Sequence, residues 1–360
     1  MIRVLMIMTT PFTKTGIGSV VKNYTSVLHN QVHFDFLLCC GIGDEEKKYV
    51  NSINGEIIIP IANRERHPFQ YVKEVIGLLR KRNYDVSHVH GNSSTMFFDV
   101  LASRIAGIKK VIAHTHSTYT DYPFLHKILK PFFNLLITRG LACSDDAGKF
   151  CFYNYSILNN AIETKRFCYS SECRNSLRAR YNLSDDEFVL LNVGHLDKGK
   201  NQKYLIDLVS KLKTKHGICL KLFLVGQGNM KNALNEQIVN EALEENVYLI
   251  EESSVIEQFY SMSDLFVLPS LYEGLGIVLI EAQASGLHCI ASQGVPELSN
   301  LCGTVKYISL NDEEGWIKAI IEEYNHFIDR VEESDQCCTI IKQKGYDITV
   351  AADDLMALYL

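Results

Sequence analysis

The chain has 360 residues, 47% of them apolar and 22% charged. That is the make-up of a soluble globular protein with room for two domains rather than one core. The net charge of −6, with no basic-aromatic stripe, argues against a nucleic-acid partner, and no apolar run reaches the ~18 residues that span a bilayer.

In chain order, "MIRVLMIMTTPF" comes first. It lacks a cleavage site and is expected to be a buried strand rather than a signal peptide. "FDFLLC", "EIIIPI", "VSHVH", "KVIAHTH" and "LACS" follow as short strands, with helices predicted in "SVVKNYTSVLHN", "PFQYVKEVIGLLRKRN" and "TMFFDVLASRIAG". The second half repeats the habit with "FVLLNVG", "LKLFLVG", "VYLI", "DLFVLP" and "HCIAS" as strands. Its helices are expected around 202–213, 229–244, 255–262 and 276–285. Apolar runs alternating with amphipathic helices predict parallel sheets covered on both faces, hence an α/β fold of two Rossmann-like domains. The break falls in "YSILNNAIETKRF", which gives domains 1–162 and 163–340 and a closing helical tail, 341–360.

Charge divides along the same line. Residues 1–162 carry 18 Lys and Arg against 12 Asp and Glu, and residues 163–360 carry 18 against 30. The positive half suits an anionic partner such as a phospholipid surface or a diphosphate-linked substrate. The eleven cysteines, with adjacent pairs Cys39-Cys40 and Cys337-Cys338, follow no ligand or disulfide spacing. They are expected to be reduced, in a cytoplasmic protein.

Ligands of open parallel sheets sit at the carboxyl ends of the strands, so the junctions carry the functional argument. In "SLYEGLGIVLIEAQASG" a helix starting near Gly276 would leave the N–H groups of Leu275, Gly276 and Ile277 unpaired and aimed at a phosphate. Gly274 and Gly276 would allow close approach. Glu273 could accept from a polyol, and Glu281 from a vicinal diol such as ribose. Against this stand a plain cap-region acid and a solvated helix residue. In "NVGHLDKGKNQKYLI", His195 and Lys200 could meet a diphosphate from the other side, or the lysines could be ordinary loop residues. "TKTGIGSVVKNY" is a weak glycine signal whose plain alternative is a tight turn.

His88 with His90, and His114 with His116, are i,i+2 pairs that face one way on a strand. Four imidazoles at neighbouring strand ends could hold a metal, but no carboxylate accompanies them, and none is expected there. "HKILKPFFNLLITRG" reads as a core helix by default. A membrane-surface face is the alternative, with Phe132, Phe133 and Leu136 dipping and Lys127, Lys130 and Arg139 at headgroups.

Taken together these segments resemble the retaining glycosyltransferases of family 4, with the GT-B fold, in their bacterial exopolysaccharide and capsule branch. "EGLGIVLIE" matches the E-x7-E pattern, "GHLDKGKN" resembles the G-R-x(4)-K-N loop, "IAHTHS" the acceptor-side histidine, and "ILNNAI" the interdomain turn. The resemblance implies that Glu281 holds ribose hydroxyls and that Glu273 with Gly274, Leu275 and Gly276 holds the transferred sugar. It puts Lys200 on the diphosphate, helped by Gly16, and His116 beside the reacting carbon. It further implies a UDP-linked hexose or N-acetylhexosamine donor, no metal or other cofactor, and a lipid-diphosphate-linked glycan acceptor at the inner face of the membrane. The final helix would cross back to the first domain.

Departures from the pattern are His195 in place of an arginine and Thr15-Gly16 in place of a double glycine. Glu251, Ser253 and Val255 stand where relatives have G-x-R-x-D near the base. They leave two rivals: a non-catalytic GT-B partner protein, and a metal-dependent hydrolase built on the HxH pairs.

Overall fold

The structure, a computed structural model, describes residues 1–13, 16–251, 255–326 and 328–360. They divide into two compact units, Met1–Ile162 with Gly345–Leu360, and Glu163–Lys344.

The first unit holds strands β1 (Ile2–Met8), β2 (Val32–Leu38), β3 (Ile57–Ile58), β4 (Val86–Gly91), β5 (Lys110–Thr115), β6 (Arg139–Ala142) and β7 (Ser156–Ile157). All pair in parallel, in the order β3-β2-β1-β4-β5-β6-β7. Because side chains alternate along a strand, β1 feeds two cores at once. Val4, Met6 and Met8 pack with helix Gly16–Leu28 and helix Ile348–Tyr359. Leu5 and Ile7 pack with helices Pro68–Leu79, Phe97–Ile105 and Pro123–Leu136, through residues such as Tyr71, Val100 and Phe133. A continuous apolar strand is what burial on both faces requires.

Helix Ile348–Tyr359 is thus part of the first unit. Asp347 caps it by accepting from Thr349 N at 2.9 Å. Ile162 N donates to Tyr346 O at 2.9 Å and Ile348 N donates to Ile162 O at 2.8 Å, so the departing and returning chain run side by side.

The second unit holds β8 (Val189–Val193), β9 (Lys221–Val225), β10 (Val247–Ile250), β11 (Leu265–Leu268), β12 (His288–Ser292) and β13 (Val305–Ile308). These are also parallel, in the order β10-β9-β8-β11-β12-β13. Leu190, Leu222, Leu224, Leu265 and Val267 meet helices Gln202–His216 and Glu313–Tyr324 around the buried Trp316. The strand order reverses between β1 and β4 in one sheet and between β8 and β11 in the other. A crevice for ligand opens at such switch points.

Most predicted strands stand within a residue or two, but "EIIIPI" yields only two strand residues, and β7 and β13 carried no prediction. Helix Arg330–Gln343 runs unbroken and buries Cys337 and Ile341 in the second unit, so the chain returns at Lys344–Gly345 rather than after residue 340. The membrane-face expectation needs correction in detail. Phe133 is fully buried against Phe152, and Leu136 is partly buried against the same core. Lys130 donates to Lys149 O and Phe150 O. The exposed apolar side chains of that helix are Phe124, Leu125, Ile128, Phe132 and Leu135. Among the described residues no helix is long and apolar enough to cross a membrane.

Candidate functional site

At the β8/β11 switch point two loops are stitched together. Leu271 N donates to Gly199 O at 2.7 Å, and Asn201 Nδ2 donates to Pro269 O at 3.3 Å. Asn201 holds φ +55°, a left-handed turn that starts helix Gln202–His216. Asp197 Oδ1 accepts from Lys200 N at 3.0 Å and shapes the loop before it.

This stitching brings two of the sequence candidates into direct contact. Lys200 Nζ lies 2.5 Å from Glu273 Oε1, and the same oxygen accepts from Ser270 Oγ at 2.7 Å. Both side chains are mostly covered, 23% and 10% exposed. The sequence expectation had Lys200 on a diphosphate and Glu273 on a sugar; in the unit as it stands, each is the other's partner.

Helix Ile277–Ala284 follows. Gly276 is its N-cap with φ +78°, where an added Cβ would sit 3.1 Å from Val295 Cγ1. That conformation favours glycine. Among the described residues the N–H groups of Gly274, Leu275, Gly276 and Ile277 donate to no acceptor. Those of Gly276 and Ile277 are orphan donors of the helix start, at the positive end of its dipole, and those of Gly274 and Leu275 lie in the loop just before it. Glu281 lies further along the same helix, where its Oε2 accepts from Tyr260 Oη at 2.7 Å. Burial pushes the Glu281 carboxyl up to about 7, against the opposing pull of the Tyr260 hydrogen bond and the Arg166 charge. His195 is exposed at the head of the Lys200 loop, and its ring makes no hydrogen bond or ion pair among the described residues.

Gly16 and His116 belong to the first unit. Gly16 opens helix Gly16–Leu28, and nothing lies within 4 Å of a Cβ built on it. The preceding Thr15 is outside the described residues, as is Ser253. Glu251 pairs with Lys231 on the surface.

The four histidines do share one face at the carboxyl ends of β4 and β5. His88 and His90 lie 4.2 Å apart between ring centroids and His114 and His116 4.1 Å apart, each pair tilted, while across the strands His88 stacks on His114 at 5.6 Å and His90 on His116 at 5.4 Å. His116 Nε2 lies 3.1 Å from His90 Nδ1, and His88 Nδ1 lies 2.7 Å from Tyr359 Oη in helix Ile348–Tyr359. Burial keeps all four rings neutral, with His88 lowered to about 3 and His116 to about 4. Ring nitrogens of His88, His90 and His114 gather within 4.8 Å. A zinc ion asks for ~2.0–2.1 Å to each nitrogen, along lone pairs that converge. His88 Nδ1 and His90 Nδ1 already serve Tyr359 and His116, which leaves His88 Nε2, His90 Nε2 and the two nitrogens of His114 as the buried ring nitrogens of these three residues without a hydrogen-bond partner among the described residues.

Tyr260, Ser270 and Arg166 were not among the sequence candidates. They lie at 21, 3 and 115 positions from the carboxylates they serve, Glu281, Glu273 and Glu281. Only Ser270, inside the quoted junction, carried any signal.

Comparison with known proteins places the chain among glycosyltransferases. A family model described as "Glycosyl transferases group 1" matches residues 174–345, and one described as "Glycosyltransferase Family 4" matches residues 14–147. Together they span most of the chain. EpsF of Bacillus subtilis (strain 168), whose name assigns it to the glycosyltransferases, is 28% identical over 82% of this chain and 81% of its own. The Escherichia coli UDP-Gal:alpha-D-GlcNAc-diphosphoundecaprenol alpha-1,3-galactosyltransferase is 25% identical over 96% and 94%. Among solved structures, Anabaena HepE in complex with UDP and glucose superposes with a TM-score of 0.78 at 15% identity, covering 98% of each chain. Two all-parallel α/β units and two family matches that together span most of the chain lead to one conclusion: the chain belongs to the glycosyltransferases of the GT-B fold, its first unit matching the family 4 model and its second the group 1 model.

Proposed function

We propose that this glycosyltransferase transfers a hexose or N-acetylhexosamine, with retention of configuration, from a UDP-sugar to a lipid-diphosphate-linked glycan in polysaccharide synthesis. The observation that carries the proposal is the pairing of Lys200 with Glu273 beside four unpaired backbone N–H groups. A nucleoside diphosphate arriving there would meet a cation that can leave its carboxylate and backbone donors that need no rearrangement. Such preorganised donors stabilise charge as it develops on a leaving diphosphate. Freed from Lys200, Glu273 can accept from hydroxyls of the transferred sugar, and Glu281 from those of the ribose.

No carboxylate needs to act as nucleophile in this scheme. The acceptor hydroxyl attacks from the face the diphosphate leaves, and the diphosphate oxygen takes its proton. Lys200 and the N–H groups supply the positive charge a metal would otherwise bring. His116 takes part as a neutral ring: Nε2 is committed to His90, so Nδ1 is the nitrogen left for a substrate hydroxyl. Support for the substrates comes from relatives: the E. coli protein is named for UDP-galactose and a diphosphoundecaprenol acceptor, and HepE was solved with UDP-glucose.

Membrane contact is part of the same proposal. Phe124, Leu125, Ile128, Phe132 and Leu135 are all exposed on helix Pro123–Leu136, with Lys127 exposed between them. Such a helix lies in an interface with its apolar side down.

Titration with nucleoside diphosphates and nucleotide sugars in the presence of a chelator tests the donor. Selective binding of UDP or one UDP-sugar is expected, followed by an α-linked product from an α-linked donor in an acceptor assay. A folded protein that binds none of them would overturn the proposal in favour of a non-catalytic GT-B protein. Stoichiometric zinc or manganese in the purified protein would turn attention to the histidine cluster.

A further inference from the structure

Glu281 does not stand alone in its helix. Tyr260, from helix Ile256–Met262, is fully buried. Its ring is fixed edge-on to Phe167 at 5.7 Å and tilted on Phe266 at 5.7 Å. Its backbone carbonyl accepts from Arg330 Nη2 at 3.1 Å. With the ring packed between Phe167 and Phe266, the hydroxyl lies 2.7 Å from Glu281 Oε2, with Val278 O as a more distant acceptor at 3.5 Å. Burial beside Glu281 holds the phenol far above its ordinary range, so the hydroxyl keeps its proton and is the donor.

We propose that Tyr260 is a positioning residue for nucleotide binding: its hydroxyl holds Glu281 as an oriented carboxylate, with Oε2 engaged and Oε1 turned to the vicinal hydroxyls of the ribose. The inference rests on the assignment of Glu281 to the ribose. Tyr260 touches the acid rather than the ligand. It acts through two properties of that acid, the rotamer and the proton.

The surrounding groups set the balance. Arg166, from helix Thr164–Phe167, favours the charged form of Glu281, but its guanidinium is tied to Glu257 Oε2 at 2.8 Å. Arg330 is taken up by the carbonyls of Tyr260, Ser263 and Ser285. Cys289 on β12 and Cys337 and Cys338 on helix Arg330–Gln343 are held as neutral thiols. Tyr260 is therefore the one hydrogen-bond donor to the carboxylate among the described residues. Without it, desolvation acts on Glu281 opposed only by a shared cation.

The test is UDP affinity by calorimetry between pH 6 and 9 for the intact wild-type chain, Tyr260→Phe and Glu281→Gln. Only the fraction of protein carrying the charged acid binds well. Tyr260→Phe keeps the ring packing and removes the donor, which should move the midpoint of the pH dependence up by about one unit. UDP affinity should then fall about five-fold at pH 7 and return to within about two-fold of wild type at pH 9. A uniform loss at every pH, or an unchanged profile, overturns the proposal. Glu281→Gln tests the underlying assignment separately: it should bind weakly with no pH dependence, and wild-type binding by this variant would remove the ribose role itself. Should Tyr260→Phe fold poorly, the Glu281 carboxyl carbon can be titrated by NMR in ligand-free wild type and Arg166→Gln. The midpoint should rise in the variant, and no movement counts against a carboxylate tuned by its neighbours.

Discussion

The Lys200–Glu273 pair should be energetically coupled in the free protein and uncoupled when a nucleoside diphosphate binds. At 2.5 Å and an effective dielectric near 20, the gross attraction is about 6–7 kcal/mol. Most of that is offset. Two charges leave water, and a lysine with ~2 kcal/mol of rotamer freedom is held in one geometry. Exposed pairs retain ~0.2–1 kcal/mol and breaking buried ones costs ~3–5 kcal/mol. With exposures of 23% and 10% this pair falls between, so a coupling of about 1–2 kcal/mol is expected. The assay is a double-mutant cycle of Lys200→Met and Glu273→Gln, read from the urea transition of the second unit, without and with saturating UDP. The free-protein coupling should shrink to under about 0.5 kcal/mol with UDP, as Lys200 transfers to phosphate. A coupling that UDP leaves intact would refute the assignment of Lys200 to the diphosphate.

Three further outcomes follow from the same structure. Gly276→Ala places a Cβ at φ +78° and 3.1 Å from Val295 Cγ1, so about 1–2 kcal/mol of strain should appear in thermal unfolding, with weaker UDP binding. Glu281 holds its proton in the folded state up to about pH 7, while its ordinary value is 4.5. The folded state therefore binds more protons between these limits, and its stability falls as pH rises from about 4.5 to 7; Glu281→Gln should lack that decline, which urea titrations at pH 5 and 8 would show. Replacing both Phe124 and Leu135 by Asp should lower co-sedimentation with anionic vesicles at least several-fold and leave UDP binding unchanged.

The parallel sheets were legible because strands such as "LFVL" and "IRVLMIM" are buried on both faces and so read as unbroken apolar runs. β13, "VKYI", escaped because it is an edge strand whose Lys306 is exposed, and β7 because two residues make no pattern. At the site, residue types and junctions could be read locally: Gly276 as a helix start and the i,i+2 histidines as one face. What could not be read were the partners. Glu273 meets a lysine 73 positions away, and His88 meets a tyrosine 271 positions away. The expected Phe133 contact with lipid failed for a related reason: helix Pro123–Leu136 carries more apolar residues than one face can bury, so pattern alone cannot say that Phe133 meets the core while its neighbour Phe132 is exposed.

The discontinuity of the first unit has a consequence for its biogenesis. Strands β1 and β2 leave the ribosome early, yet the helix that covers Val4, Met6, Phe34 and Phe36 is encoded after residue 344. At a translation rate of ~5–20 residues per second, the intervening segment delays that cover by roughly 10–40 s. During this interval the nascent sheet displays an apolar face suited to holdase chaperones. Ribosome-stalled chains ending before residue 345 should stay protease-sensitive within Met1–Ile162, and full-length chains should resist. Synthesis of the second unit thus acts as a timer on completion of the first.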